Sequence, residues 1–334
     1  MDSLTQIALG AAVGEATLGR RVGNRAILWG ALCGTLPDLD VFIDLGGPVE
    51  DFTYHRSFSH SIFVLTALTP LLVWLILKLH PQTVEHRRRW YLLVFLALVT
   101  HPILDCFTVY GTQIFWPLSQ YPVSGSAVFI IDPAYTLPLL AGVLCALVMR
   151  RSNSGGHALN TAGLVLGSAY LAWSVGAKLH VEAVARDALS REGIVAERVL
   201  TTPGPFNSLL WRVVAMTDGG YYEGFYSVLD ETTELDFRAY PSRTDLLRGI
   251  EQHWPAQRLQ WFTHGFYSVD SIGRDVVISD LRMGLEPDYI FRFKVAELAN
   301  PHPIPTAAER VPTERDLGRL RWVWERIWDQ QAAK

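Results

Sequence analysis

The sequence predicts a polytopic α-helical membrane domain, with about five to six hydrophobic helices of which two are short or broken, followed by a soluble α+β domain. Three observations lead there. The chain has 334 residues and 49% hydrophobic residues, but they are unevenly spread. Apolar runs dominate up to about Lys178, whereas from about Val181 onward Arg, Glu, Asp and aromatics are mixed in soluble-protein proportions. The third observation is length: Ser61 to Leu79, Val128 to Met149 and Ala158 to Ala177 each approach the ~20 apolar residues that a spanning helix requires. The division is therefore placed at residues 1–180 and 181–334.

The remaining membrane segments are less regular. Trp90 to about Thr108 is long enough but contains His101, Pro102 and Asp105. Leu4 to Leu18 is short and carries Glu15, and Ala26 to Ile43 is interrupted by Pro37, Asp38 and Asp40. Gly10 with Gly14, and Gly30 with Gly34, are spaced to let helix backbones approach closely. Arg20, Arg21 and Arg25, then Lys78, Arg87, Arg88 and Arg89, then Arg150 and Arg151 fall in alternate loops. A six-segment topology puts them all on one side, which the positive-inside rule makes cytoplasmic. The C-terminal domain is then extracytoplasmic. Tyr54, Tyr110, Trp116 and Tyr121 are expected in an outer aromatic belt.

In the second half, Ile194–Leu200, Leu209–Thr217, Tyr221–Leu229, Asp275–Met283 and Tyr289–Val295 have strand composition. Gly219-Gly220 suits a hairpin turn. Ser242–Trp254 and Thr313–Gln330 have helical patterns, with Ser242 as a candidate N-cap, and Pro301 to Pro312 mark an extended linker. Trp211, Tyr221, Tyr222, Phe225 and Tyr226 fit a sheet core.

Several functions are excluded or disfavoured. A formal net charge of -4 with no basic stripe gives no ground for a nucleic-acid partner. Cys33, Cys106 and Cys145 all lie in or beside apolar segments and form no CxxC pair, so neither a disulfide framework nor a thiolate metal site is expected. The N-terminus has no basic region typical of a cleaved signal. No dinucleotide, Walker or nucleophile-elbow motif occurs.

The chemistry is in the membrane half. Ionisable residues there cost at least about 2.5 kcal/mol each on insertion scales, so they face a protein interior, pair or bind an ion. The groups are Leu36-Pro37-Asp38-Leu39-Asp40, His55-Arg56-Ser57-Phe58-Ser59-His60-Ser61, His101-Pro102-Ile103-Leu104-Asp105 and Asp132-Pro133. Pro37 breaks helical geometry beside the two aspartates. His101 and Asp105 share a helical face at i,i+4 spacing. The topology places all four groups toward the outer side.

One His on an apolar helix is ordinarily a hydrogen-bonded core residue, and Asp132-Pro133 reads equally well as a helix cap. The combined set is harder to dismiss. Asp38, Asp40, His55, His60, His101 and Asp105 supply imidazole and carboxylate, the ligands of a divalent ion, Zn²⁺ or Mn²⁺ first, in one or two sites. Asp105 is a candidate general base, and Arg56 a candidate to neutralise a carboxylate or hold a phosphate. Glu15 is expected to pair with a cytoplasmic-side arginine.

These motifs, with the opening Met1-Asp2-Ser3-Leu4-Thr5, Gly34-Thr35, Thr108-Val109-Tyr110-Gly111-Thr112 and Phe115-Trp116-Pro117, resemble the YdjM-like family of bacterial inner-membrane metal-dependent hydrolases. The resemblance covers roughly residues 1–150. It implies a multi-pass inner-membrane location, a hydrolase assignment and the same six ligand positions. Gln6 stands where family members often carry His, which puts metal binding by the N-terminal segment in doubt.

The leading expectation is a membrane-bound metal-dependent hydrolase, such as a phosphoesterase acting on an amphiphilic, lipid-like substrate at the outer membrane face. A transporter or proton-coupled protein would use the same residue types, but no internal repeat supports it. A third option is a membrane-anchored interaction protein with a structural His/Asp cluster.

Overall fold

The computed structural model describes residues 1–149, 155–313 and 318–332. Arg150 and Arg151, used above in the topology, and residues 314–317 of the expected last helix lie outside them. Two compact units form: Met1–Ile43 with His55–Val175, and Asp44–Tyr54 with Gly176–Lys334. Nothing in the residue pattern marks residues 44–54 as leaving the first unit for the second.

The first unit is helical. Helix α1 (Ser3–Gly14) is capped by Asp2, whose carboxylate accepts from the N–H groups of Leu4 and Thr5. It continues through a π-helical turn, Glu15–Gly19, and α2 (Arg20–Val22) to α3 (Asn24–Thr35). The chain then tightens into a 3-10 helix over Leu36–Phe42. After α4 (Pro48–Tyr54), which belongs to the second unit, come a 3-10 turn at Phe58–His60, α5 (Ile62–Leu79), α6 (Arg87–Asp105), α7 (Pro133–Met149) and α8 (Gly155–Arg191).

Helices thus occur at all six hydrophobic segments, but they are unequal. Among the described residues, α5 and α8 are long and apolar enough to cross a membrane, and α7 is a shorter apolar helix. Helix α1, with 12 residues, is about 18 Å long and is mostly buried among other helices. The apolar side chains of α5 and α8, including Leu71, Trp74, Val165, Leu166 and Trp173, are exposed. That is the reverse of a soluble core helix and suits contact with lipid.

Helices α1 and α3 pack backbone to backbone through the glycines. A Cβ on Gly10 would fall 2.3 Å from the Gly30 carbonyl oxygen, and one on Gly30 would fall 2.2 Å from that of Gly10. Leu9, Ile27, Leu104 and Leu139 form one core cluster around this pair, and Leu65, Val73, Trp90 and Leu93 form another. Tyr110 is buried rather than belted at a surface, because its ring lies beneath the Arg56 guanidinium.

The second unit is α+β. Strands β1 (Arg198–Pro203), β2 (Leu210–Thr217), β3 (Gly220–Ser227) and β4 (Arg238–Pro241) form an antiparallel sheet in that order. Helix α9 (Trp254–Phe262) precedes β5 (Tyr267–Ile272), β6 (Asp275–Asp280), the short hairpin β7 (Gly284–Leu285) with β8 (Asp288–Tyr289), β9 (Arg292–Glu297) and β10 (Ile304–Arg310). The second sheet has the order β10-β9-β6-β5. Helix α10 (Gly318–Trp328) closes the described chain. The last turns of α8 cover the first sheet, with Val181, Val184, Ala185 and Ala188 packed against Trp211, Val213 and Tyr226.

Three local expectations change. The β2–β3 turn is Asp218-Gly219, since Thr217 pairs with Gly220. Gly219 has φ 88°, which a two-residue hairpin turn favours. Ser242–Trp254 is not a helix: a short 3-10 turn spans Thr244–Leu247, Gly249 has φ 87°, and the helix starts at Trp254 with Pro255 in its first turn. The Ser242 hydroxyl accepts from the Val269 N–H instead of capping a helix. The Pro-rich linker contains strand β10, which lies at the sheet edge where proline is tolerated.

Candidate metal centre

The 3-10 segment Leu36–Phe42 turns Asp38 and Asp40 in different directions. Asp38 reaches the facing imidazoles of His60 and His101: its Oδ1 is 3.4 Å from His60 Nε2 and 3.3 Å from His101 Nε2. Asp105 Oδ2 is 3.3 Å from each of the same two nitrogens. The nitrogens are 3.1 Å apart. One donor atom from each of Asp38, His60, His101 and Asp105 thus lies within 4.8 Å of the others.

These spacings can be compared with a metal polyhedron. Metal–ligand bonds of about 2.0–2.2 Å in a tetrahedron put neighbouring donors about 3.3–3.6 Å apart. Five separations among these donors, 3.1 to 3.4 Å, lie within or just below that range.

The outer nitrogens explain why the inner ones are acceptors. His101 Nδ1 is 2.6 Å from the Gly34 carbonyl, which can only accept, so Nδ1 carries the hydrogen. Ser59 donates to Asp40 Oδ2 at 2.6 Å, leaving its oxygen to accept from His60 Nδ1 at 2.9 Å. In neutral imidazoles both Nε2 atoms then present lone pairs to each other and to two carboxylates. Asp105 Oδ2 is buried without a hydrogen-bond partner. This convergence of acceptors is offset either by a proton on one imidazole or by a bound cation, and the donor set could hold a divalent metal ion.

The surrounding groups hold the donors. Asp105 Oδ1 accepts from the Met1 amino group and from Gln6 Nε2 at 3.2 Å, with Arg56 Nη1 at 3.4 Å. Gln6 Nε2 also donates to the His101 carbonyl at 3.3 Å. Arg56 itself is buried, donates to Thr108 Oγ1 at 3.3 Å and lies 5.0 Å from the Tyr110 ring centre. It has φ 63°, an uncommon backbone state for a residue with a side chain.

The six predicted ligands therefore divide. Asp38, His60, His101 and Asp105 form the inner group, whereas Asp40 and His55 lie outside it. Both oxygens of Asp40 are already engaged: Oδ1 by His55 Nδ1 at 2.9 Å, Oδ2 by Ser59 and by the Arg56 N–H at 3.1 Å. Among the described residues this is one group of donors, which suits one ion rather than two. Asp132 caps α7 through Ala134 N–H and accepts from the Tyr170 hydroxyl. Glu15 has His157 Nδ1 at 3.4 Å.

Sequence reasoning did not single out Gln6, Ser59 or the Gly34 carbonyl as supports. Ser59 was legible as part of the His-rich motif. The Gly34 carbonyl has no side-chain signal at all.

The model of a family described as YdjM inner membrane protein matches residues 1–181. A protein of Bacillus subtilis strain 168, described as uncharacterized protein YfhP, is 26% identical over 264 residues, which is 75% of this chain and 76% of that one. No solved structure matches the chain.

Proposed function

The chain belongs to the YdjM inner membrane protein family, and from that premise we propose that it is a multi-pass, metal-dependent hydrolase whose substrate is an amphiphilic phosphoester. One observation carries the reading: four acceptor atoms from Asp38, His60, His101 and Asp105 converge with the spacings of a divalent-ion site. A bound ion would supply Lewis acidity, lowering the pKa of a coordinated water toward neutrality and offsetting negative charge on a phosphoryl oxygen.

The protein's own groups divide the remaining work. Catalytic sites keep one position open, while structural sites close all four. Asp38 is the one inner donor with an appreciably accessible side chain, at 15%. His60, His101 and Asp105 make the fixed set, and Asp38 is the group placed to yield a position or take a proton from water. Asp105 suits ligation better than proton transfer, because its Oδ1 is held by the Met1 amino group and Gln6. Arg56 offsets the charge of Asp105 from inside the protein.

An amphiphilic substrate follows from the surroundings of Asp38. Leu39, Val41, Phe42 and Ile43 are exposed and apolar in the residues that follow it. That rim would accommodate an acyl chain while a polar headgroup meets the donor set. The location is the inner membrane, with the basic loops cytoplasmic and the C-terminal unit extracytoplasmic.

The test is elemental analysis of the purified full chain, followed by phosphate release from a lipid phosphomonoester in mixed micelles. The expected result is about one Zn²⁺ or Mn²⁺ per chain and chelator-sensitive release, both lost in His60→Ala/His101→Ala. A double variant that retains its metal would overturn the proposal.

A further inference from the structure

We propose that the second unit is a clamp on the metal centre, acting through residues 44–54, with Phe52 and Arg258 as positioning residues. The inference rests on the metal-centre reading above. Residues 44–54 fold as part of the second unit, although their chain neighbours on both sides belong to the first. Those neighbours carry two of the four inner donors, Asp38 just before and His60 just after, together with the supporting Asp40, His55 and Arg56.

The grip is built from buried apolar and cationic contacts. Val49, Phe52 and Thr53 are buried. The Phe52 ring lies 4.9 Å from that of Phe262 on α9, 4.3 Å from Phe291 and 5.3 Å from Phe293 on β9. Arg258 Nε donates to Thr53 Oγ1 at 2.9 Å, and Nη2 to the Thr53 carbonyl at 3.4 Å. The same guanidinium lies 4.4 Å from the Tyr54 ring centre and 4.2 Å from that of Trp261.

The physical consequence concerns chain entropy. A seven-residue helix such as α4 has little stability of its own. Released, residues 44–54 become a flexible loop between Asp38 and His60, closed by the hydrogen bonds of Asp40 to His55, Arg56 and Ser59 alone, and the remaining closure entropy is repaid when metal binds. Held, they fix both ends of the connection in advance, which raises affinity by preorganisation. This gives the second unit a role in chemistry although its own histidines form no donor group among the described residues.

The test is the Zn²⁺ and Mn²⁺ affinity of the full-length protein in detergent, measured by competition with a chromogenic chelator. Phe52→Ala and Arg258→Ala are expected to weaken binding at least about tenfold, in the range found for outer-shell supports. Arg258→Lys keeps a cation near the rings but loses the two-nitrogen contact with Thr53, and should fall between. Val323→Ala, which loosens α10 against the first sheet, should leave affinity unchanged at the same folded fraction. A metal-binding parent whose Phe52→Ala and folded Arg258→Lys forms retain full affinity overturns the clamp alone. A parent that binds neither metal overturns the metal-centre reading and the clamp with it.

Discussion

His60 shows how much a single residue does in this protein. Its Nε2 faces the donor group while its Nδ1 is tied through Ser59 to Asp40. The sequence made Asp40 and Asp38 look equivalent, because they share a motif and a residue type. The structure makes one an inner donor and the other a support. The two roles predict different losses. Removing His101 or Asp105 should abolish tight metal binding, whereas Asp40→Asn should weaken it about 10–100-fold. Titrating metal into each purified variant distinguishes these outcomes, and equal losses would contradict the division. The six residue types were legible in the sequence because charge and imidazole are costly in apolar segments. Their ranking was not, since it depends on which atoms are already hydrogen-bonded.

At the scale of elements, the α1–α3 contact matters most. Gly10 and Gly30 allow each backbone to touch the other, and Gly34, on the same seam, presents its carbonyl to His101. Gly30→Ala should therefore do two things. It should destabilise the first unit by about 1–3 kcal/mol through overpacking, and it should lower metal affinity by shifting the Gly34 carbonyl. Thermal unfolding in detergent with a metal titration checks both, and unchanged stability would show that the helices separate at no cost. The glycine spacing was visible in the sequence. The helix at Ser242–Trp254 failed for a local reason: Gly249 breaks it, and Trp254-Pro255 is itself a helix start. Strand β10 was hidden by Pro305 within it and the prolines on either side, and its edge position accommodates Pro305.

For the whole molecule, two kinds of buried charge serve different ends. In the first unit charge is gathered in a donor group that could hold an ion. In the second it ties structure together. Arg212 is buried and donates to Glu223 Oε1 at 2.7 Å, to the Leu281 carbonyl at 2.5 Å and to the Tyr289 hydroxyl at 3.1 Å. Tyr221 links Tyr289 to Glu286, and burial pushes both phenols up, so each remains a protonated donor. Arg212→Ala removes the guanidinium that pairs with the buried Glu223 carboxylate and should cost the second unit about 3–5 kcal/mol. Denaturant unfolding followed by tryptophan fluorescence measures it, and a loss under about 1 kcal/mol would mean the network is dispensable.

The sequence by itself determined the two-part character of the chain, the helical nature of the first part, and which residues could carry chemistry. Those properties are local: they follow from hydrophobic run length, charge in apolar context and turn residues. Only the tertiary structure decided that Asp38 rather than Asp40 joins His60, His101 and Asp105. It alone assigned residues 44–54 to the second unit. Both decisions depend on contacts between residues far apart in the chain, where packing and competition for hydrogen-bond partners, not residue type, select the outcome.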